Sequence, residues 1–185
     1  TRPLDYVDII NAHFYSGRTD PEVCTDDPNV NRGGAKNPMS RTYRQDLRDL
    51  VYWRDTYKPE AEIWITETGY DVGGPMGRTE RYQAAKLPRC VLMALAEGVD
   101  KVFIYREKGS RASQHAGSGL LRDDETVRPA FFTVATMTRQ LLPYKGRALK
   151  LDLGDPNVWC YYWEQGANQL LTIWSLKEST PMPLK

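Results

Sequence analysis

Hydrophobic positions along the chain follow two different patterns. Up to about residue 143, short apolar runs alternate with longer segments of helical period; beyond it only strict alternation remains. The run Tyr6-Val7-Asp8-Ile9-Ile10-Asn11 predicts a buried strand ending near His13. From Ser16 to Pro38 the chain is rich in Gly, Asp, Asn and Pro and reads as a long loop, of the kind that usually serves function in a compact domain. Ser40 is placed to cap a helix from Arg41 to about Tyr57, with Leu47, Leu50, Val51 and Trp53 on its apolar side and Lys58-Pro59 as its stop. Ala61-Glu62-Ile63-Trp64-Ile65-Thr66 predicts a second buried strand, followed at once by Glu67-Thr68-Gly69-Tyr70 and a Gly/Pro loop to Gly77. A further helix runs from Thr79 to Glu97, stopped by Gly98, with Pro88 predicting a kink or early break. Lys101-Val102-Phe103-Ile104-Tyr105 is the third strand, a polar loop runs to Ser118, and Pro129 opens a helix to about Leu142.

After Pro143 three alternating segments, Arg147–Leu153, Val158–Trp163 and Gln169–Trp174, predict antiparallel strands. Turns at Gly154-Asp155-Pro156-Asn157 and Gly166-Ala167-Asn168 join them. The fold class is therefore α/β: strand–helix units that argue for a parallel sheet over residues 1–143, then a small antiparallel β appendage over 144–185. Three units are far fewer than the eight of a complete barrel, which needs about 250 residues.

Composition narrows the function classes. At 185 residues the chain is long enough for one domain plus an appendage, and a chain of that size buries roughly 70% of its unfolded surface. A net charge of +1 without a basic stripe argues against nucleic-acid binding. No apolar run approaches the roughly 18 residues of a membrane span. Cys24, Cys90 and Cys160 are odd in number and far apart, so they give no disulfide framework. With no C-x-x-C pair and only two histidines, no structural metal is expected, and nothing implies a cofactor. The chain opens on Thr1-Arg2-Pro3 with no targeting segment visible, so either a leader has been removed or a longer protein precedes it. Its localisation stays open.

In parallel α/β architectures the chemistry gathers at the carboxyl ends of the strands. That rule selects His13-Phe14-Tyr15, then Glu67, then Tyr105-Arg106-Glu107, all opening on one face. Glu67 directly follows a hydrophobic strand, where a carboxylate is costly to bury unless partners hold it. It is either a pre-positioned oxygen nucleophile or base, or a strand-end glutamate satisfied by an arginine or a backbone cap. His13 and Tyr15 lie two apart and share one side of an extended segment. A Tyr15 hydroxyl can orient a carboxylate and keep it ionised; the plainer reading is a core histidine and a rim tyrosine. Glu107 is a subsite residue or part of a solvated cluster with Arg106 and Lys108, and His115 is a loop residue open to solvent or substrate. Trp53 and Trp64 read as core or helix packing, whereas Tyr70, just beyond Glu67, is the better stacking candidate at the open face.

These segments together resemble the carboxyl-terminal half of a clan A glycoside hydrolase, a (β/α)8 barrel, with a family 39-like appendage. Asp8-Ile9-Ile10-Asn11-Ala12-His13-Phe14-Tyr15 looks like the sixth strand, Trp64-Ile65-Thr66-Glu67-Thr68-Gly69-Tyr70 like the seventh, and Lys101–Tyr105 like the eighth. Gly119-Leu120-Leu121-Arg122-Asp123 leading to Arg128-Pro129-Ala130-Phe131 resembles the opening of the last helix, and Leu171-Thr172-Ile173-Trp174-Ser175 the appendage. The resemblance covers about Tyr6 to Ser175.

It implies a partial, half-barrel fold and a retaining glycosidase in which Glu67 is the nucleophile and Tyr15 hydrogen-bonds it. His13 would shape the sugar subsite, Tyr70, Tyr105 and Glu107 would contact substrate, and a carbohydrate would be the substrate. Where the clan places an aromatic, commonly Trp, at the end of the eighth strand, this chain has Tyr105 or Arg106. Retention needs a second carboxyl roughly 5–5.5 Å away. In the clan that acid/base follows an Asn on the fourth strand, and no Asn-Glu pair occurs here. The alternative is a catalytically inactive half-barrel that self-associates or only binds glycan, through Tyr15 and Tyr70. An open half-barrel also exposes strand edges. It calls for the missing amino-terminal half, a second copy, or capping of an edge by the appendage.

Overall fold

A computed structural model describes residues 3–16, 19–23, 42–73, 78–109 and 117–177. Ser40, Cys24 and His115 lie outside them. Three parallel strands, β1 (Ile9–Phe14), β2 (Glu62–Thr68) and β3 (Lys101–Ile104), form one sheet in the order β1-β2-β3. The connections carry helices α1 (Tyr43–Tyr57) and α2 (Glu80–Glu97), and α3 (Pro129–Leu141) follows β3. A second, antiparallel sheet holds β4 (Leu149–Leu151), β5 (Val158–Gln165) and β6 (Asn168–Ser175) in sequence order.

The helices cover one face of the parallel sheet. Ile63 and Ile65 of β2 are buried against a core that includes Leu47 and Val51 of α1 and Leu87 and Met93 of α2. The opposite face is open: Ile9, Asn11 and His13 on β1, Glu62 on β2, and Lys101 and Phe103 on β3 are all exposed. Both strands expected to be buried thus bury only one side. Trp64 belongs to the open face too, with the Phe103 ring 5.5 Å away and the Lys101 ammonium 4.3 Å above its own ring. It is not a core residue, and Trp53 on α1 is 37% exposed.

Local chemistry explains where the observed elements depart from the sequence pattern. A 3-10 turn occupies Pro3–Tyr6, so β1 begins at Ile9. Thr42 caps α1, accepting from the Gln45 amide, while the Gln45 side chain accepts from the Thr42 amide, a reciprocal capping box. Pro88 does not interrupt α2. Proline strips the carbonyl four residues back of its helical donor, and the Ala84 carbonyl accepts instead from the Thr133 hydroxyl of α3 at 3.0 Å. Gly98, at φ 108°, ends α2 in the left-handed conformation that glycine accommodates best.

The antiparallel sheet does not cap an edge of the parallel sheet, contrary to one sequence-based expectation. It lies against the helices: the Ala148 amide donates to the Ala96 carbonyl at 3.0 Å and the Tyr161 hydroxyl to Glu97 at 3.3 Å. Tyr161 and Trp163 join the same core cluster as the helices, so packing is continuous across residue 143. β1 and β3 each pair with β2 alone and leave their outer edges unpaired among the described residues.

Candidate active site

Strict alternation along β2 would send Glu67 to the helix side with Ile63 and Ile65. It does not go there. The register with β1 shifts between Ala12 and His13, and the register with β3 shifts between Ile65 and Thr68. One extra residue is therefore accommodated in β2 over the stretch containing Thr66 and Glu67, a bulge that resets the alternation. Ile63, Ile65 and Thr68 are buried, and Glu67 turns to the open face with its side chain 34% exposed.

The same shift brings His13 opposite Glu67. His13 Nδ1 lies 3.3 Å from Glu67 Oε2, and the Tyr15 hydroxyl donates to that oxygen at 2.8 Å. Neither contact uses Oε1. Burial, with the hydrogen bond to Glu67 and the charge of Glu67 adding to it, holds the Tyr15 phenol far above its ordinary range. Tyr15 is therefore a permanent donor at neutral pH, and its hydrogen bond fixes the orientation of the Glu67 carboxyl group. The Tyr15 ring also meets Tyr105 edge to face at 6.4 Å. His13, Tyr15, Glu67 and Tyr105, which the sequence puts at three strand ends, form one cluster.

Gly69 lets the β2 exit pass close to β3. A Cβ there would stand 2.6 Å from the Tyr105 carbonyl oxygen, which rigid backbone cannot clear. The Tyr105–Arg106 peptide bond is cis. On the far side Gln83, fully buried, donates its amide to the Tyr70 carbonyl at 3.0 Å and reaches the Ser118 and Gly119 carbonyls at 3.3 Å. It joins the β2 exit to the segment after the 110–116 stretch.

Two expected site residues lie elsewhere. Tyr70 is 2% exposed, so its ring has no face left for a sugar. Its hydroxyl receives the Ser16 hydroxyl at 2.6 Å and lies 3.5 Å from Cys90 Sγ, which makes it a buried strut. The sequence hides this because aromatic residues beyond a strand end read the same whether they face out or in. Glu107 is exposed, and no described contact joins it to Glu67. Its neighbour Lys108 pairs with Glu125 at 2.8 Å.

Sequence reasoning missed a set of ionic residues that follow β1. Asp20 and Glu22, just after β1, engage Lys86 and Arg89 of α2. Burial works against the Asp20 charge, yet Lys86 and Tyr82 outweigh it and hold the carboxyl below its usual range. Only a partner far away in sequence gives these residues meaning, and no local signal marks them.

Against known proteins, no protein-family model matches the sequence and no curated protein matches it. Solved structures do. A family 39 glycoside hydrolase from the gut symbiont Bacteroides cellulosilyticus WH2 superposes with a TM-score of 0.68 and 18% identity, over 94% of this chain and 35% of that one. SrfJ from Salmonella typhimurium matches with a TM-score of 0.52 and 7% identity, over 73% of this chain and 32% of its own. The fold is glycosidase-like. The chain spans about a third of the length of these two structures.

Proposed function

We propose that this chain carries the nucleophile of a retaining glycoside hydrolase, with a carbohydrate as its substrate. The observation that carries the reading is the convergence of the Tyr15 hydroxyl and His13 Nδ1 on one oxygen of Glu67, on the open face at the carboxyl end of a parallel sheet. With Oε2 held, Oε1 is the oxygen that attacks the anomeric carbon. The C–O bond to the leaving group breaks as the Glu67–sugar ester forms. Water then cleaves that ester and returns the carboxylate. Tyr15 orients Glu67, while His13 and Tyr105 border the sugar.

A leaving alkoxide needs a proton, and general acid catalysis contributes about 10²–10⁴-fold. The sequence has no Asn-Glu pair to supply that acid in the manner of the resembled clan. The reading therefore includes further β/α units, completing a (β/α)8 barrel, that bring the acid/base and cover the open face. The two edges unpaired among the described residues and the exposed Ile9 and Phe103 support this, because apolar inner-face residues stay in water without it.

A mechanism-based 2-fluoroglycoside tests the assignment, applied to the chain together with the amino-terminal units of a family 39 barrel. The expected result is one covalent adduct on Glu67, detected by mass spectrometry of peptides, and none in Glu67→Gln. Hydrolysis that survives in Glu67→Gln, or an adduct on another residue, refutes it. The second reading, glycan binding without turnover, draws on the missing Asn-Glu pair. It predicts saturable glycan binding and no adduct under the same conditions.

A further inference from the structure

The segment that leaves β1 carries Tyr15 and is fastened at three points. Ser16 donates to the Tyr70 hydroxyl at 2.6 Å. Asp20 accepts from Tyr82 at 2.9 Å and pairs with Lys86 at 2.5 Å. Glu22, whose side chain has no exposure at all, receives Arg89 in a two-pronged pair, Nε to Oε1 at 2.6 Å and Nη2 to Oε2. Arg89 Nη2 also reaches Asp20 at 3.3 Å.

The third fastening has an unexpected member. Trp174, on β6 of the antiparallel sheet and 152 residues from Glu22, donates its indole N–H to Glu22 Oε1 at 2.7 Å. The Arg89 guanidinium lies 5.9 Å over the Trp174 ring, Trp159 stacks on Trp174 at 6.1 Å, and the Lys150 ammonium caps Trp159 at 4.7 Å. A buried carboxylate is tolerated only when its oxygens are satisfied, and removing one partner of a buried pair costs far more than losing an exposed one. Here one of the partners comes from the appendage.

We propose that Glu22, Arg89 and Trp174 are positioning residues. Together they fix the segment that bears Tyr15, so that the antiparallel sheet sets the Tyr15–Glu67 hydrogen bond through Trp174. The geometry of this coupling stands apart from the glycosidase reading; only its catalytic meaning rests on that reading.

Nuclear magnetic resonance of the full chain, labelled with ¹³C at tyrosine Cζ and glutamate Cδ, tests it. Tyr15 Cζ reports whether its hydroxyl donates to a carboxylate, and Glu67→Gln supplies the reference for a weakened bond. Trp174→Phe, Glu22→Gln and Arg89→Lys are expected to move Tyr15 Cζ at least half of the way to that reference. Thr172→Val, which breaks the 3.1 Å Trp163–Thr172 hydrogen bond in the same sheet, should leave it in place. An unmoved Tyr15 signal in the folded node variants overturns the proposal, as does an equal shift in Thr172→Val. Unfolding of all three node variants overturns it too, since the node would then be a strut for folding and not for position. A Tyr15 shift without any Glu67 adduct in the labelling experiment would sink the glycosidase reading and leave this coupling standing.

Discussion

At the scale of single residues, burial fixes the protonation of several phenols and a thiol in and around the core. Burial raises the Tyr15, Tyr70, Tyr82 and Tyr161 phenols and pushes the Cys90 thiol up to about 12. In the unfolded chain the same groups return to about 10 for tyrosine and about 8.5 for cysteine. Between these values the unfolded state holds fewer protons than the native state, so the free energy of unfolding falls as pH rises. The stability these groups contribute is complete below the unfolded values and drains away from about pH 8.5 upward. Urea titrations at about pH 8, 9, 10 and 11 should show a midpoint that declines with each step. Tyr161→Phe keeps the buried ring and removes one titrating group, so its decline should be shallower; a flat midpoint over this range would contradict the assignment. Glu67 itself is legible in the sequence as a carboxylate after an apolar strand, and Tyr15 as its neighbour at the next strand end. Tyr70 is misleading there, because only packing shows that its hydroxyl answers Ser16 beneath the site.

At the scale of elements, periodicity and stop signals place the three α-helices and six strands of the described residues in order, and the errors are local. Pro88 is the instructive one. Taken alone it breaks a helix, at a cost of about 3 kcal/mol relative to alanine in an exposed interior. In this fold α3 lies alongside α2, and Thr133 supplies a donor to the carbonyl that proline strands. Thr133→Val should therefore destabilise the chain by about 1 kcal/mol, the net worth of one hydrogen bond, because it returns the Ala84 carbonyl to water. In a Pro88→Ala background the replacement restores a backbone N–H at that position to serve the same carbonyl, so the Thr133 substitution should cost less. Chemical denaturation of the four proteins measures this, and equal costs in both backgrounds would reject the pairing.

At the scale of the whole molecule, the two faces of the parallel sheet are unequal. One is packed by helices that continue into the antiparallel sheet as a single core, and the other presents Ile9, Trp64 and Phe103 beside two edges unpaired among the described residues. Pairing with further strands satisfies both the edges and the apolar face, and so does a second copy. Light scattering on the isolated chain should give a mass above the 21.2 kDa of one copy, reverting to a one-to-one complex when the complementary barrel units are added. A compact monomer that stays soluble without them would count against the proposed completion.

The order of elements, the helix stops at Gly98 and Lys58, the three strand ends and the candidacy of Glu67 are set by local composition and period, which act over a few residues. Three things came only with the tertiary structure. The bulge in β2 turned Glu67 to the open face, and because side chains alternate, a single extra residue reverses every position after it. Register then brought His13 onto the same Glu67 oxygen that Tyr15 holds. Lastly, Glu22, Arg89 and Trp174 met across 152 residues, a contact that no local pattern encodes because its members come from three separate stretches of the chain.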